Sequence, residues 1–594
     1  MARPDLSAHM VGILVKDNGA LRLQPCHKRE RSKLYILNSL GNSGAKEGDI
    51  VVVERLPGIK GAPKVDVTRV LGQRTSPGIL TTISILEHGL KEEFSSAALN
   101  DAKAMTVPDL GNREDLRNIP LVTVDGPDSR DFDDAIFAEH TADGGMHLIV
   151  AIADVSWYVR PGSALDKVAY ERGNSTYLPD RAVPMLPEDL SNGLCSLKPH
   201  VDRAVMAAHL WIDKDGNLTK KKITRGLMRS AARLTYTQLQ AAQDGKPDAT
   251  TAPLMNTVVT PLYEAYAILK KASQNRGALD LALPEYKAQV NDKGETVTVA
   301  ASDNAESHQV IAEFMILANA AIDQLLDEAH APCVHRSHAP PPEKKLAVLR
   351  EQLKAAGIDA PEDTIKSALD FKDVTEKARA LPAEKAVEII QNIARAQSKA
   401  KYDTQEPSHF GLALERYAHF TSPIRRYADL LNHRSLAEAF NLGAGGLDAA
   451  QKGRLDDMAA HINDTELRSV KIERSADDRY AADYLSKQPS RDFKGHITGV
   501  IGGGVFIRLD GIGCEGMLPV KFLPKEQYEF DQGKKTLTGA SSGHVFRCGD
   551  EMTVRVKTAD GLSGAILLAP ANDNKAASAA PQPKNRHKNK YKPH

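Results

Sequence analysis

Four aspartates in one short stretch are the residues whose type and spacing best fit a chemical role. The segment VTVDGPDSRDFDDAIF holds Asp125, Asp131, Asp133 and Asp134, called the aspartate cluster from here on. Carboxylate oxygens are the hard ligands that Mg²⁺ prefers, and substrate phosphates and water usually complete its coordination shell. Two Mg²⁺ ions about 3.5–4 Å apart would neutralise the cluster and clamp the attacking and leaving oxygens of a phosphodiester displacement.

Two other interpretations of the aspartate cluster are a calcium loop and an acidic surface loop. A calcium loop has the pattern D-x-D-x-D-G followed by a late glutamate, and that pattern is absent from this segment. The spacing D-x(5)-D-x-D-D does not by itself exclude an acidic surface loop. The choice between a metal site and a solvated loop therefore depends on the rest of the sequence.

The composition is that of an ordinary globular protein. The chain has 594 residues, of which 42% are apolar and 26% charged, and its 77 basic residues balance its 77 acidic ones. Net charge thus gives no sign of nucleic acid, and any basic surface must be local. The five cysteines form no C-x-x-C pair, which argues against a zinc site and fits a reducing cytoplasm. The N-terminus does not resemble a signal peptide, and the apolar stretch 310–326 carries Glu313, so it predicts a buried helix and not a membrane span.

Changes of hydrophobic period divide the chain into five segments. Short alternating runs predict a small antiparallel barrel over 1–60, followed by a connector over 61–118. Strands and then many helices predict a large α+β domain over 119–485. Short strands return over 490–570 as a second five-stranded barrel, and 571–594 is a basic segment predicted to be disordered.

Two local patterns give further expectations. Helical periodicity predicts helices over 307–326, 382–401 and 427–440. The first barrel carries a basic loop at 27–33, which is either a solvated loop or a nucleic-acid contact.

Several motifs together resemble the ribonuclease II/R family of 3′→5′ exoribonucleases, whose catalytic part is the RNB domain. The resemblance covers about residues 115–568, and the tail resembles that of the ribonuclease R branch. The motifs are VTVDGPDSRDFDDA (122–135), VAIADVSWYV (150–159), YLPDRAVPMLPEDLSNGLCSL (177–197), ARLTY (232–236) and HFGLALERYAHFTSPIRRYADLLNHR (409–434).

The resemblance implies a fold and an activity. The first barrel looks like a cold-shock domain and the last like an S1 RNA-binding domain, both barrels of the oligonucleotide-binding type. The activity implied is processive hydrolysis of single-stranded, and in the ribonuclease R branch structured, RNA from its 3′ end to 5′-mononucleotides, for RNA turnover and quality control. The implied cofactor is a pair of Mg²⁺ ions, with Mn²⁺ accepted by the same ligands. The implied partner is RNA, bound by a cytoplasmic monomer without a membrane.

The resemblance also assigns roles to the aspartates and to one arginine. The aspartate cluster falls on the four metal-site aspartates of the family, with Asp133 and Asp134 also acting in catalysis. Asp133 falls on the carboxylate whose loss in the family abolishes cleavage and leaves RNA binding intact. Arg425, in TSPIRRY, falls on the catalytic arginine, whose planar guanidinium grips phosphate oxygens. The alternative for Arg425 is a salt bridge that holds the aspartate loop, and Arg426 is a secondary candidate for RNA contact.

Three further residues are candidates for RNA binding. Tyr236, in ARLTY, falls on an aromatic residue that stacks on the 3′-terminal base, and the alternative is a core tyrosine. His338 falls where one branch of the family has a base-clamping phenylalanine, and the alternative is a loop residue before the prolines. Glu473 falls on a glutamate near the RNA 3′ end, and the alternative is a solvated helical face.

Two expectations set this chain apart from the usual family pattern. The family usually has two cold-shock barrels before the catalytic domain, and there is room for one before Asp125. We expect a wider RNA entrance and lower processivity on long substrates as a result.

The functional alternative is a catalytically silent RNA-binding regulator, which would be expected to lose aspartates from the metal site. All four are present, and so is Arg425.

Overall fold

The computed structural model describes residues 9–56, 64–281, 286–291, 294–301, 305–360, 365–488 and 491–571. The predicted disordered tail lies outside these ranges, apart from residue 571. The described residues form two compact units. One is drawn from 81–285 and 302–475, and the other from 9–80, 286–301 and 476–571.

The N-terminal segment is a closed five-stranded barrel with strand order β1-β2-β3-β5-β4. Its apolar side chains alternate along the strands, so that Leu14, Leu23 and Val51 are buried inside it. The predicted boundary at residue 60 is wrong, because the barrel closes only with a strand that lies in the predicted connector. That strand places Val65 and Val67 in the interior and pairs with both β3 and β4. The strands are β1 (His9–Asp17), β2 (Ala20–Pro25), β3 (Tyr35–Ser39), β4 (Asp49–Arg55) and β5 (Lys64–Gln73).

The central segment is α+β, as predicted. Its helices are α1 (Ile79–Glu87), α2 (Ser96–Lys103), α3 (Val155–Tyr158), α4 (Ala164–Arg172), α5 (Tyr236–Gln243), α6 (Thr260–Arg276), α7 (Glu306–Glu328), α8 (Glu343–Ala355), α9 (Ala368–Arg379), α10 (Ala383–Ala396), α11 (Tyr427–Ala439), α12 (Ala449–Lys452) and α13 (Leu455–Ser486). Its strands are β6 (Glu114–Asp115), β7 (Val122–Asp125), β8 (Asp134–His140), β9 (Met146–Ala153), β10 (Thr176–Tyr177), β11 (Ala182–Val183), β12 (Asp202–Ile212), β13 (Leu218–Arg229), β14 (Ala232–Thr235), β15 (Tyr286–Val290), β16 (Thr296–Ala301), β17 (His335–Ser337) and β18 (Lys401–Asp403). The predicted helices over 307–326 and 427–440 are confirmed as α7 and α11, whereas that over 382–401 ends earlier, at Ala396.

A seven-stranded sheet with order β14-β7-β8-β9-β12-β13-β6 is the framework of this segment. Successive residues of a strand point to opposite faces, so one sheet supports two cores. Ile136, Leu148 and Val150 belong to the core that contains α6 and α7. Ala135 and Ala151 belong to the core on the opposite face, which contains α4 and α11. With both faces covered, the ends of the strands are where polar groups can gather.

Helix α7 is the one described helix long and apolar enough, by length and composition, to cross a membrane. Its side chains Val310, Phe314 and Ile322 are fully buried in the first of these cores. The prediction of a buried helix at this position is confirmed.

The C-terminal segment is a second closed five-stranded barrel, with order β19-β20-β21-β26-β25, as predicted. A three-stranded sheet, β22-β23-β24, is inserted before the barrel closes, and the sequence did not predict it. The strands are β19 (Asp492–Ile501), β20 (Gly504–Leu509), β21 (Glu515–Pro519), β22 (Tyr528–Asp531), β23 (Thr536–Gly539), β24 (Val545–Phe546), β25 (Glu551–Asp560) and β26 (Ala565–Pro570).

The two barrels are joined by ion pairs within their unit. Asp560, at the end of β25, accepts hydrogen bonds from Arg31 and from Arg74, the latter at 2.9 Å. Lys28 lies 2.7 Å from Asp478 of α13. Two basic residues of the loop at 27–33 therefore pair with acidic side chains, and this pairing favours a structural role for them over RNA contact.

Candidate active site

The aspartate cluster lies at one end of the central sheet. Asp125 is the last residue of β7 and Asp134 is the first of β8, so the loop between these strands carries Asp131 and Asp133 back toward Asp125. The backbone of Asp133 is fixed by Ala153, whose N–H donates to the Asp133 carbonyl at 2.9 Å. The loop between two strands thus brings together four aspartates that are spread over ten positions of the sequence.

Asp133 is the most constrained side chain of the cluster. It is 4% exposed, and its Oδ1 accepts a hydrogen bond of 2.9 Å from the backbone N–H of Ile424. Its Oδ2 has no hydrogen-bond partner, and the nearest cation is Arg425, with Nε at 3.7 Å. A buried carboxylate oxygen without a donor is costly, so this oxygen is placed for a ligand.

The electrostatics of the cluster favour a bound cation. Burial, together with Asp134 and Asp131, raises the pKa of Asp125 to about 7. Burial raises the pKa of Asp134 to about 6, against the opposing effect of Arg425. Burial also raises the pKa of Asp133 well above its usual value, although Arg425 and the Ile424 N–H oppose it. Without metal, the site disfavours the full set of negative charges, and a divalent cation would reverse this preference.

These residues fit Mg²⁺ by donor type, because every ligand is a carboxylate oxygen and one is buried without a partner. The carboxylate oxygens of the aspartate cluster do not form a group of three ligand atoms within 4.8 Å of one another. Within the described part of the chain, such a group is found at Asp323, Cys333 and His335. There the Asp323 oxygens already accept bonds from His335 at 2.6 Å and Arg416 at 2.9 Å, so Asp323 is held in an ion-pair network.

Arg425 and Arg426 have different surroundings although they are adjacent. The Arg425 side chain is 45% exposed, and its Nη2 donates to Ser422 Oγ at 2.9 Å. Arg426 binds the fully buried Asp429 through two bonds of 2.7 and 2.8 Å. Arg425 is therefore available to a substrate near Asp133. The pairing of Arg426 argues against the predicted RNA contact, and the structure gives that guanidinium a role in holding the start of α11.

Tyr236 is brought to the site by strand pairing. β14 runs parallel to β7 and pairs Thr235 with Asp125, so the next residue, Tyr236, begins α5 beside the cluster. Burial raises the pKa of the Tyr236 hydroxyl, and nearby Asp134 and Asp125 raise it further. One face of the phenol ring stacks on His308 of α7, with ring centroids 3.8 Å apart and planes 15° apart. Sequence reasoning missed His308, which lies in an ordinary helical pattern and carries no motif signal.

Glu473 is joined to the aspartate cluster through a residue that the sequence analysis did not single out. The backbone N–H of Tyr177 donates to Glu473 Oε1 at 3.2 Å, and the Tyr177 hydroxyl donates to Asp131 Oδ2 at 2.8 Å. The Tyr177 side chain borders the cluster while the residue is 44% exposed. It lies within the motif that begins YLPDR, which was the one available signal.

His338 lies in a different environment from the one predicted. It is 8% exposed, its Nε2 contacts the Ser398 carbonyl at 3.1 Å, and its Nδ1 accepts from the Gly411 N–H at 2.9 Å. Its ring also packs near His409 and Phe410. Because both ring nitrogens are occupied and the ring is buried, these contacts favour the alternative of a structural loop residue. Its contact with a terminal base stays a prediction.

Comparisons with known proteins place this geometry in a family. A cold-shock domain model matches residues 23–95, and an RNB domain model matches residues 113–441, more than half of the chain. Ribonuclease R of Vibrio parahaemolyticus is 36% identical over 572 residues, which cover 93% of this chain and 67% of that protein.

Solved structures share the fold over most of the chain. RNase R of Mycoplasma genitalium, in complex with ribose-methylated single-stranded RNA, has a TM-score of 0.87 at 25% identity, covering 95% of this chain and 90% of that one. Yeast Ssd1, described as a pseudonuclease, has a TM-score of 0.68 at 15% identity, covering 90% and 68%. The second likeness shows the fold alone, so activity is argued from the site and not from the fold. From the RNB match and the ribonuclease R relatives, the chain belongs to the RNB-domain family of exoribonucleases.

Proposed function

We propose that this chain hydrolyses RNA one nucleotide at a time from the 3′ end, releasing 5′-mononucleotides with the help of two Mg²⁺ ions. The observation that carries the proposal is the placement of Arg425 opposite Asp133, whose Oδ2 is buried and without a hydrogen-bond partner. Metal-dependent phosphodiester cleavage needs both carboxylates that hold cations and a group that stabilises the phosphate. The two requirements meet at one end of the central sheet.

The aspartate cluster would hold the metal ions, and Mn²⁺ suits the same ligands. Bound there, the ions would supply an activated water at neutral pH and neutralise charge on the scissile phosphate. The Ile424 N–H keeps Asp133 Oδ1 engaged, so that Oδ2 stays directed for a ligand. The Tyr177 hydroxyl orients Asp131 in the same way through Oδ2. The protein thus fixes the carboxylates before substrate arrives, which lowers the cost of reorganisation.

Arg425 would stabilise the negative charge that grows on the phosphate during cleavage. Its guanidinium is partly exposed and its nearest carboxylate is 3.7 Å away, which is longer than a normal hydrogen bond. It can therefore turn its donors to phosphate oxygens without breaking a short ion pair. The guanidinium fork matches two such oxygens.

Tyr236 would stack on the 3′-terminal base. His308 covers one face of its ring, which leaves the other face for the base. Base–aromatic stacking contributes about 1–3 kcal/mol and tolerates every base, as a turnover enzyme requires.

The likeness to a ribonuclease R bound to single-stranded RNA supports a proposal for the substrate class. We propose that single-stranded RNA is the primary substrate, that structured RNA with a 3′ overhang is also degraded, and that the barrels bind the strand. None of the five cysteines, all of which lie in the described part of the chain, forms a disulfide, which fits our proposal of a cytoplasmic location.

Product analysis on two labelled RNAs tests the proposal. A single strand and a duplex with a 3′ overhang, each prepared once with a 5′-end label and once with a uniform internal label, are incubated with protein and Mg²⁺, with and without chelator. We expect 5′-mononucleotides and a ladder that shortens from the 3′ end, abolished by the chelator. Retained RNA binding without any mononucleotide release would instead favour the silent regulator, and release that requires inorganic phosphate would indicate phosphorolysis.

A further inference from the structure

A second cluster of titratable side chains lies at the opposite end of the central sheet from the aspartates. It consists of two rows of cross-strand neighbours that run over β8, β9, β12 and β13, all on one face of the sheet. The first row is Glu139, His147, Trp211 and Lys220, and the second is Phe137, Ile149, His209 and Lys222.

The rings of the first row are packed tightly against each other. His147 and Trp211 stack with centroids 4.4 Å apart and planes 10° apart, and the ammonium of Lys220 lies 4.5 Å from the centre of the indole. The indole thus lies between groups carried by the two neighbouring strands.

Two hydrogen bonds and one ion pair link the two rows into a chain of four groups. Glu139 contacts His147 at 2.8 Å, His147 contacts His209 at 3.2 Å, and His209 lies 3.3 Å from Glu114 of β6. Lys222 lies 3.9 Å from the same Glu114 carboxylate. The arrangement carries two carboxylates and two ammonium groups, so its charges balance without a metal ion.

These residues line a cavity of about 590 Å³, here called the ring pocket. This volume is in the range of small-molecule sites, which combine apolar walls with a few fixed polar groups. Phe137 and Ile149 form part of the apolar lining, and Ile119 and Pro120 also border it. Lys220 and Glu139 belong to strands three spacings apart, which is about 14 Å between their backbones.

The pocket offers lysine ammonium groups toward one end and the Glu139 carboxylate toward the other, with apolar and aromatic side chains between them. We propose that the ring pocket binds a ribonucleoside 5′-monophosphate, with its phosphate at Lys220 and Lys222 and its base directed toward Glu139. Lysine ammonium groups bind phosphate as point charges, and a carboxylate accepts hydrogen bonds from an exocyclic amine or a ribose hydroxyl. The ligand's identity as a reaction product rests on the proposed function, whereas its chemistry is argued from the pocket.

Tryptophan fluorescence gives a direct test, since the chain has only two tryptophans. In the full chain carrying Trp157→Phe, Trp211 is the sole reporter, and Asp133→Asn with chelator prevents turnover at the aspartate cluster. Adenosine 5′-monophosphate is titrated, with adenosine and inorganic phosphate as separate probes. We expect a saturable change in emission with the nucleotide, and about tenfold weaker binding of adenosine, which lacks the charged group.

The matched variants locate the binding. Lys220→Glu with Lys222→Glu should abolish the response, whereas Lys214→Glu, an exposed lysine in the turn between β12 and β13, should leave it unchanged. Equilibrium dialysis of labelled nucleotide against the chain with both tryptophans gives a second measurement if Trp157→Phe fails to fold. No saturable binding by either method, or equal binding to the double lysine variant, would overturn the proposal.

Two further measurements complete the test. One distinguishes a free mononucleotide from an RNA end as the ligand, and the other distinguishes a failure of this inference from a failure of the proposed function. A 5′-phosphorylated oligonucleotide that binds through the same lysines more tightly than the mononucleotide would support the site and identify an RNA end as its ligand. Nuclease activity is measured separately on the wild-type chain. Normal RNA degradation with an empty ring pocket would refute only this inference, and nucleotide binding without degradation would refute only the proposed function.

Discussion

The two ends of strand β8 carry opposite balances of charge. Asp134 begins the strand and Glu139 lies near its other end, about 17 Å away at the rise of an extended chain. At the first end, four carboxylates lie near Arg425, which is partly exposed and 3.7 Å from Asp133. At the second, the carboxylates of Glu139 and Glu114 lie among two histidines and two lysines.

This difference separates the proposed chemical site from the proposed recognition site. Buried negative charge without enough partners raises carboxylate pKa values, and it is relieved by cations. A set of groups whose charges already balance gains little from a metal ion. The contrast thus teaches that residue type alone, carboxylate or imidazole, does not identify a metal site, and that the local excess of one charge does.

The largest expected effect is the loss of turnover in Asp133→Asn. Asparagine keeps an oxygen that can accept the Ile424 N–H, so the local backbone is preserved while a metal-binding charge is lost. We expect turnover to fall by at least about 10³-fold with RNA affinity close to that of the wild type. Single-turnover cleavage and filter binding measure the two quantities. Asp128→Asn, an exposed residue of the same loop, is the control and should have little effect. Loss of RNA binding in Asp133→Asn would mean that the residue shapes the fold.

A second comparison is that of the adjacent arginines. Arg425→Ala should lower kcat by about 10²-fold, because a donor that stabilises the transition state is lost, while thermal stability is retained. Arg426→Ala leaves Asp429 buried and unpaired, so the free energy of unfolding should fall by about 3 kcal/mol. Steady-state kinetics and thermal unfolding of both variants distinguish the two roles. Equal destabilisation by both would make Arg425 a structural ion pair.

A smaller effect is expected at the ring that would receive the terminal base. Tyr236→Ala should weaken binding of short RNAs by about tenfold through loss of stacking. His308→Ala should cause part of that loss, since the ring of Tyr236 then lacks its support, and His308→Phe should restore it. Fluorescence of 2-aminopurine at the RNA 3′ end reports the stacking directly. An unchanged signal in Tyr236→Ala would show that the base is held elsewhere.

The smallest effect is expected at the far end of the sheet. Trp211→Leu removes the stack with His147, and aromatic pairs contribute about 0.5–1.5 kcal/mol. The melting temperature should fall by about 2 °C with kcat unchanged. Calorimetry and nuclease assays check this. A fall in kcat comparable to that in Arg425→Ala would show that this end of β8 also contributes to catalysis, which contradicts the contrast between the two ends.

Local patterns predicted the elements that depend on short-range periodicity. Helices α7 and α11 follow from hydrophobic spacing alone. The predicted end of the first barrel was wrong because β5 closes the barrel by pairing with β3 and β4, and a segment outside the described residues separates it from them in sequence. Alternation predicts that a strand exists, and it does not state which sheet the strand joins.

The sequence by itself determined which residues are candidates for metal binding, because four carboxylates lie within ten positions of each other. Only the tertiary structure decided which partners they meet. Asp133 and Ile424, which are joined by a hydrogen bond, are 291 positions apart. Arg425 is the more exposed of the two arginines because Arg426 is paired with the buried Asp429. Such contacts depend on how whole helices and strands pack against each other, and a local sequence pattern does not predict that packing. For the same reason His308 and Tyr177 were found only once α7 and β10 were seen beside the site.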